Sequence, residues 1–296
     1  MRRIWLALAC VLATGPAWAQ STIPTTNLTL HVSSDVIGSL YTTYDSGGSH
    51  TGTPSDGSAV QVWDDLGDGI ADVILRMNAA SSTEPAYRST TPLMANPALD
   101  FVTNDHMFTR NQNGTANVVA SSFFTASAWT VAAAFYLEGV TANCTGASYS
   151  GHTIVSANDY LGLSVCSNAG TPTIEAHNYD GTDDSVGVAI ATDRSYVAIG
   201  RLSGGNIELR VIADDCGTTD GTPAASGNTS SLTGVVNIGA GGTALNGRIG
   251  ELAFYSAALT GSNLTDLGSG LASTWLGCGG AVTTPRMTLL GVGDTQ

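Results

Sequence analysis

Hydrophobic and polar residues alternate with period two along most of this chain. "AWTVAAAFYLE" puts Trp129, Val131, Ala133, Phe135 and Leu137 on one side, and Thr130, Ala132, Ala134, Tyr136 and Glu138 on the other. "SYVAIGRL" (195–202) and "NIELRVIA" (206–213) repeat the pattern. Such alternation predicts strands with one face in a core. Further short strands are expected at 28–32, 59–63, 72–77, 116–124, 152–157, 160–166, 171–179 and 234–240. Gly, Asn, Asp and Ser punctuate them at short intervals, and no repeat of fixed period is visible. The pattern predicts an all-β chain, built as a sandwich or barrel.

One segment departs from it. In "TGSNLTDLGSGLASTWLG", Leu264, Leu267, Leu271 and Trp275 fall three and four residues apart, which makes one apolar stripe on a helix. Thr260 or Ser262 can cap its start and Gly277 its end. Gly268 and Gly270 each cost the helix about 1 kcal/mol relative to alanine. Packing on the sheets must therefore hold it. Trp63 and Trp129 lie in alternating segments, so they are expected in the core together with Trp275.

The ends read differently. "MRRIWLALACVLATGPAWAQ" has two arginines, a short apolar run, Gly15-Pro16 and Ala17-Trp18-Ala19. That layout predicts a secretory signal peptide over 1–19, cut after Ala19. The apolar run is too short for a comfortable membrane span. Residues 20–280 are expected to form one domain and 281–296 a tail, whose "MTLLGVG" could add an edge strand here or on a second copy. Four cysteines follow the signal: Cys144, Cys166, Cys216 and Cys278. An even number in an exported chain predicts two disulfides. Of the three pairings, Cys144–Cys166 and Cys216–Cys278 are favoured; no C-x-x-C spacing supports zinc as the alternative.

The formal charge is −14, lysine is absent, and all ten basic residues are arginines. Nucleic acid requires a basic surface that this composition does not supply.

Gly247–Trp275 resembles the end of laminin-G-like jelly-roll domains of the concanavalin A-like lectin/glucanase superfamily. The matching residues are Gly247, Ile249, Glu251, Leu252, Tyr255, Leu259 and Thr260, followed by the short helix. "AVQVWDD", "PALDFVTNDHM" and "WTVAAAFYL" resemble upstream pieces of the same family, in the same order, over about residues 28–277. The family's Asp-Gly after Phe101 is Val102-Thr103 here, and the turn after Trp63 is one residue shorter. The resemblance implies two stacked antiparallel sheets in a jelly roll, with Glu251 as a structural glutamate hydrogen-bonded to backbone. It implies little about activity, since this scaffold carries lectins, adhesion modules, hydrolases and lyases.

None of the five glutamates (84, 138, 175, 208, 251) has an acidic residue two positions away. A Glu-x-Asp-x-Glu strand, which would bring two carboxylates together for glycoside hydrolysis, is therefore missing. "WDDLGDGIAD" (63–72) is not an EF-hand loop, because Leu66 and Leu75 fall on ligand positions. An irregular calcium site on Asp64, Asp65 and Asp68 stays open beside a plain Asp/Gly turn. "HNYDGTDDS" (177–185) sets Asn178, Asp180, Asp183 and Asp184 beside Tyr179, the polar-plus-aromatic mixture that binds sugars, or else an ordinary hairpin turn. The resulting expectation is an exported, non-catalytic glycan- or surface-binding module, with calcium as a possible cofactor. The alternatives are a structural or adhesive subunit that associates through the tail, and a polysaccharide-active hydrolase or lyase.

Overall fold

A computed structural model describes residues 23–44, 49–66, 73–77, 84–93, 96–102, 105–112, 114–144, 151–157, 160–239 and 245–279. Residues 1–19, expected as a signal peptide, and 281–296, expected as a tail, lie outside them. The first part of the chain forms β1 (Leu28–Ser33), β2 (Leu40–Tyr41), β3 (Thr43–Tyr44), β4 (His50–Thr51), β5 (Val62–Asp64), β6 (Val73–Met77), β7 (Ala86–Arg88), β8 (Ala98–Phe101) and β9 (Met107–Asn111). The middle forms β10 (Trp129–Leu137), β11 (His152–Ala157), β12 (Leu161–Asn168), β13 (Thr171–Tyr179), β14 (Asp183–Ala189), β15 (Arg194–Ser203) and β16 (Asn206–Ala213). β17 (Thr218–Asp220), β18 (Ala224–Ala225), β19 (Val236–Ile238), β20 (Gly247–Tyr255) and α1 (Gly261–Leu276) complete it.

Two antiparallel sheets result, as the alternation predicts. The first sheet runs β17-β16-β15-β10-β20-β8-β7, with β1 also paired to β20; the second runs β14-β13-β12-β11-β19-β9-β6-β5-β2. Their inner faces meet in one core that holds Trp63, Trp129, Phe101, Phe135, Leu163 and Ile238. The alternation of β10 is visible here: Val131, Ala133 and Phe135 enter that core, while Ala132 and Ala134 face the other way.

That other side of the first sheet is covered by α1. Leu264, Leu267, Leu271 and Trp275 pack on Ala132, Ala134, Val197, Ile199 and Ala253. The helix has Thr260 at its N-cap without a side-chain bond, and Gly277 closes it in the left-handed conformation at φ 70°. A Cβ on Gly250 would stand 2.4 Å from the Trp275 ring, so the absence of a side chain there is what lets the helix dock. The disulfides are Cys144–Cys166 and Cys216–Cys278, as favoured; the second ties the helix end to the turn after β16.

One local expectation changes. Residues 116–124 are not a strand: Ala120–Ser122 form a 3-10 turn. The reason is that the consecutive Phe123 and Phe124 both pack against Phe254, at 6.0 and 5.4 Å, whereas a strand would send them to opposite faces. Glu251 is fully buried. It joins three elements through side chains: Oε1 lies 2.7 Å from His31 Nε2 on β1, and Oε2 accepts from Trp275 Nε1 at 2.5 Å on α1.

Glu251→Ala strips both partners of a buried acceptor. It should lower the unfolding free energy by about 3 kcal/mol or more, read as a fall in the urea midpoint at unchanged slope.

Candidate functional site

α1 packs on the outside of the first sheet, whose flanks carry the Arg201–Glu208 and Arg210–Asp220 pairs, and the outer face of the second sheet carries a further set of polar side chains. Register assigns its residues. Tyr41 pairs with Val62, Val62 with Arg76, Arg76 with Phe108, and Phe108 with Asn237. Farther along, Ser164 pairs with Glu175 and Glu175 with Gly187, while Gly162 pairs with His177 and His177 with Ser185. Leu40, Trp63, Leu75, Met107, Leu163, Ala176 and Val186, between these positions, point to the core.

One cluster sits at the β2–β9 end. The β3–β4 hairpin is fastened there by the Tyr44 amide, which donates to Gln61 Oε1 at 3.1 Å. His50 Nε2 lies 3.1 Å from Asp64 Oδ2, and the His50 ring rests 4.5 Å from that of Tyr41. Burial pushes the Asp64 carboxyl upward, partly opposed by His50. The Arg76 guanidinium stacks 3.6 Å above the Tyr44 ring, and Arg110 stands 4.6 Å from the Phe108 ring. Arg76 Nη1 also donates to the Gly114 carbonyl at 3.0 Å. Gly114 is in the left-handed region, and a Cβ there would strike Tyr44 and Arg76.

A second cluster lies on β13. Glu175, His177 and Tyr179 share the outer face, with the Tyr160 ring 5.4 Å from that of Tyr179. The Glu175 carboxyl is pushed up by burial. Burial likewise lowers His177 to about 3, against a bond with the Leu161 backbone, so the imidazole is neutral. The Cys144 and Cys166 sulfurs and a Glu175 oxygen lie within 4.8 Å of one another. Among the described residues this is the only grouping with metal-like spacing, and its sulfurs are already joined to each other.

The sequence-predicted residues divide. Tyr179 and Asp183 pair on the outer face. Asn178 faces the other way: its Nδ2 donates to Ser226 Oγ and the Gly227 carbonyl, and its Oδ1 accepts from Thr229. Asp180 accepts from the Gly227 amide and from Thr182, bonds that hold its carboxyl below the usual range. Asp184 pairs with Asn178 in register, on the opposite side of β14 from Asp183. At the first turn, Asp64 holds His50, and Asp65 Oδ1 accepts from the His31 amide at 2.9 Å. A calcium ion on Asp64 and Asp65 would compete with both bonds; Asp68 lies outside the described residues. Sequence reading passed over Arg76, Arg110, His50, Glu175 and His177. The last two were accessible, since the 171–179 strand was correctly bounded and alternate residues share a face.

No family model matches the chain, and no curated protein sequence matches it. Solved structures do share its fold. An arabinofuranosidase complexed with arabinofuranosyl-α-1,2-xylobiose aligns at 11% identity and TM-score 0.50, over 73% of this chain and 51% of that one. A mutant GH54 α-L-arabinofuranosidase aligns at 12% identity and TM-score 0.51, over 73% and 51%. This chain therefore spans about half the length of those enzymes. Domain 4 of a GH43 extracellular arabinanase from Geobacillus stearothermophilus, at 15% identity over 82% of this chain and 98% of that one, has a TM-score of 0.46, too low to argue from.

Two expectations are corrected by these matches. The sandwich is shared with glycosidases, and the laminin-G-like assignment does not hold. The non-catalytic binding module falls with it, because it rested on that assignment and on the missing Glu-x-Asp-x-Glu strand. That strand is one way to place acidic groups; the outer face of a sheet can gather them from several strands.

His177 provides a pH signature. Its folded value lies below the ordinary one near 6.5, so its stabilising share is complete above about 6.5 and is lost as pH falls toward about 3. The loss approaches about 1.4 kcal/mol per pH unit in that window. Urea midpoints of wild type should drop between pH 6.5 and 4.5 more steeply than those of His177→Gln.

Proposed function

We propose that this chain is an exported polysaccharide-active hydrolase whose substrate lies across the outer face of the second sheet. The observation that carries the reading is Glu175. It is a carboxyl pushed upward by burial on the polar face that α1 does not cover. Burial disfavours the charged form of such a group, which suits it to deliver a proton to a leaving glycosidic oxygen. Gly187 stands opposite it and Ser164 alongside, and the Cys144–Cys166 disulfide lies next to its carboxyl. The shared sandwich with arabinofuranosidases supports hydrolysis over other uses of the fold.

The tyrosines beside the site, Tyr160 and Tyr179, offer ring surface for a sugar, and Asp183 adds a hydrogen-bond acceptor at the end of the row. Asp183 pairs with Tyr179, four residues from Glu175, or about 13 Å along a strand. That exceeds the about 6.5–9.5 Å that separates the two carboxyls of an inverting enzyme. Glu175 is therefore assigned as the acid, and water activation is assigned to a different group from Asp183. Two disulfides fit an oxidising compartment, and no helix among the described residues is long and apolar enough to cross a membrane.

Reducing-end release from arabinan, arabinoxylan, galacturonan and alginate tests the activity. Glu175→Gln should slow turnover of the susceptible polysaccharide by about 10²–10⁴-fold, and slow a dinitrophenyl glycoside far less, since that leaving group needs no proton. Equal rates for the variant and wild type on the polysaccharide would remove Glu175 from this role.

A further inference from the structure

We propose that Arg76 and Arg110 form a carboxylate-recognition subsite, so that the glycan crossing this face carries acidic sugar units. The proposal rests on the reading that a glycan lies on the outer face of the second sheet. It concerns a different sugar unit from the one Glu175 meets. From β9 to β13 the sheet takes four strand steps, about 19 Å.

Charge pairing singles these two residues out. The chain has 24 acidic residues against 10 basic ones, so a carboxylate partner is easy to find. Arg88, Arg194, Arg201, Arg210 and Arg248 each have one. Among the described residues, Arg76 and Arg110 have no carboxylate partner. These two are diagonal neighbours on one face, because Arg76 pairs with Phe108 and Arg110 lies two residues farther along β9. Two like charges side by side repel, and the pair is kept in a chain where pairing was available.

Geometry makes them a receptor. The Nε atoms of both are buried and lack a hydrogen-bond partner among the described residues. A buried N–H without an acceptor is costly, and an arriving carboxylate would relieve it. Both guanidinium groups are oriented in advance: Arg76 by the Tyr44 ring and the Gly114 carbonyl, Arg110 by the Phe108 ring. Planar, pre-positioned guanidinium suits a carboxylate, which it can bind through two parallel hydrogen bonds. Asn237, opposite Phe108, adds an amide within the same patch for a sugar hydroxyl. Phosphate polymers fit less well. The overall charge repels a polyanion at long range, whereas a local pair of arginines captures an isolated carboxylate at contact.

The test uses the full chain and calorimetric titration with oligosaccharides of galacturonan, alginate and glucuronoxylan, each also after reduction of its carboxyls to alcohols. At least one acidic oligosaccharide should bind tenfold or more tighter than its reduced form, and this advantage should weaken as salt rises. Arg76→Gln and Arg110→Gln should each abolish most of the advantage, Arg110→Lys should restore part of it, and Arg88→Gln should leave it intact. Circular dichroism identifies any variant that fails to fold, and the lysine variant then carries the comparison. Equal affinity for acidic and reduced forms, or acidic binding unmoved by both glutamine variants, would overturn the subsite. The two readings fail separately. Glu175→Gln should keep the acidic preference, and hydrolysis confined to neutral polysaccharide would leave the enzyme standing without this subsite.

Discussion

A buried carboxylate between three elements organises this molecule. Glu251 lies on the central strand of the first sheet and meets His31 from the N-terminal strand and Trp275 from the C-terminal helix. Both neighbours meet its oxygens at short range, which offsets the cost of burying it. The chain's first strand and its last helix are thereby locked to the same atom pair. The glycine next to it on β20 gives the indole the room to reach that position.

The division of labour between the two sheets follows from this docking. Once the helix is fixed, the first sheet has apolar packing on both sides, which explains the alanines of β10 that face outward under the helix. The outer face of the second sheet is covered in part, by the β3–β4 hairpin at one end and by the Cys144–Cys166 disulfide beside Glu175. The same face carries aromatics, arginines, a histidine paired with an aspartate, and a glutamate whose carboxyl is pushed up by burial. The proposed site is on the outer face of the second sheet, which the helix does not cover.

Much of the architecture was legible. The longest strands announced themselves by strict alternation, and 152–157, 171–179 and 206–213 came out with their observed bounds. The helix was readable because one apolar stripe sufficed. Two- and three-residue strands such as β3 and β4 were not, since they are too short to show a period. The site was harder, for a physical reason. A loop rich in Asn, Asp and Gly looks like a ligand site, yet those same groups satisfy the backbone, as Asp180 does for the Gly227 amide and Asn178 for the Gly227 carbonyl. The arginine pair comes together only through the pairing of β6 with β9, thirty-odd residues apart, which no local spacing reveals.

Asp65, within the acidic turn after Trp63, has a consequence for how the chain behaves among its own copies. β1 pairs with β20 along one side only, so its other side would offer a free row of peptide groups. Asp65 takes the His31 amide, and the Leu66 amide donates to the His31 carbonyl at 2.8 Å. Two consecutive residues of a turn thus stand in for a missing neighbouring strand. An unsatisfied strand margin is a template for association with another molecule. The turn caps that margin at His31, which makes pairing there with a strand of another copy less favourable.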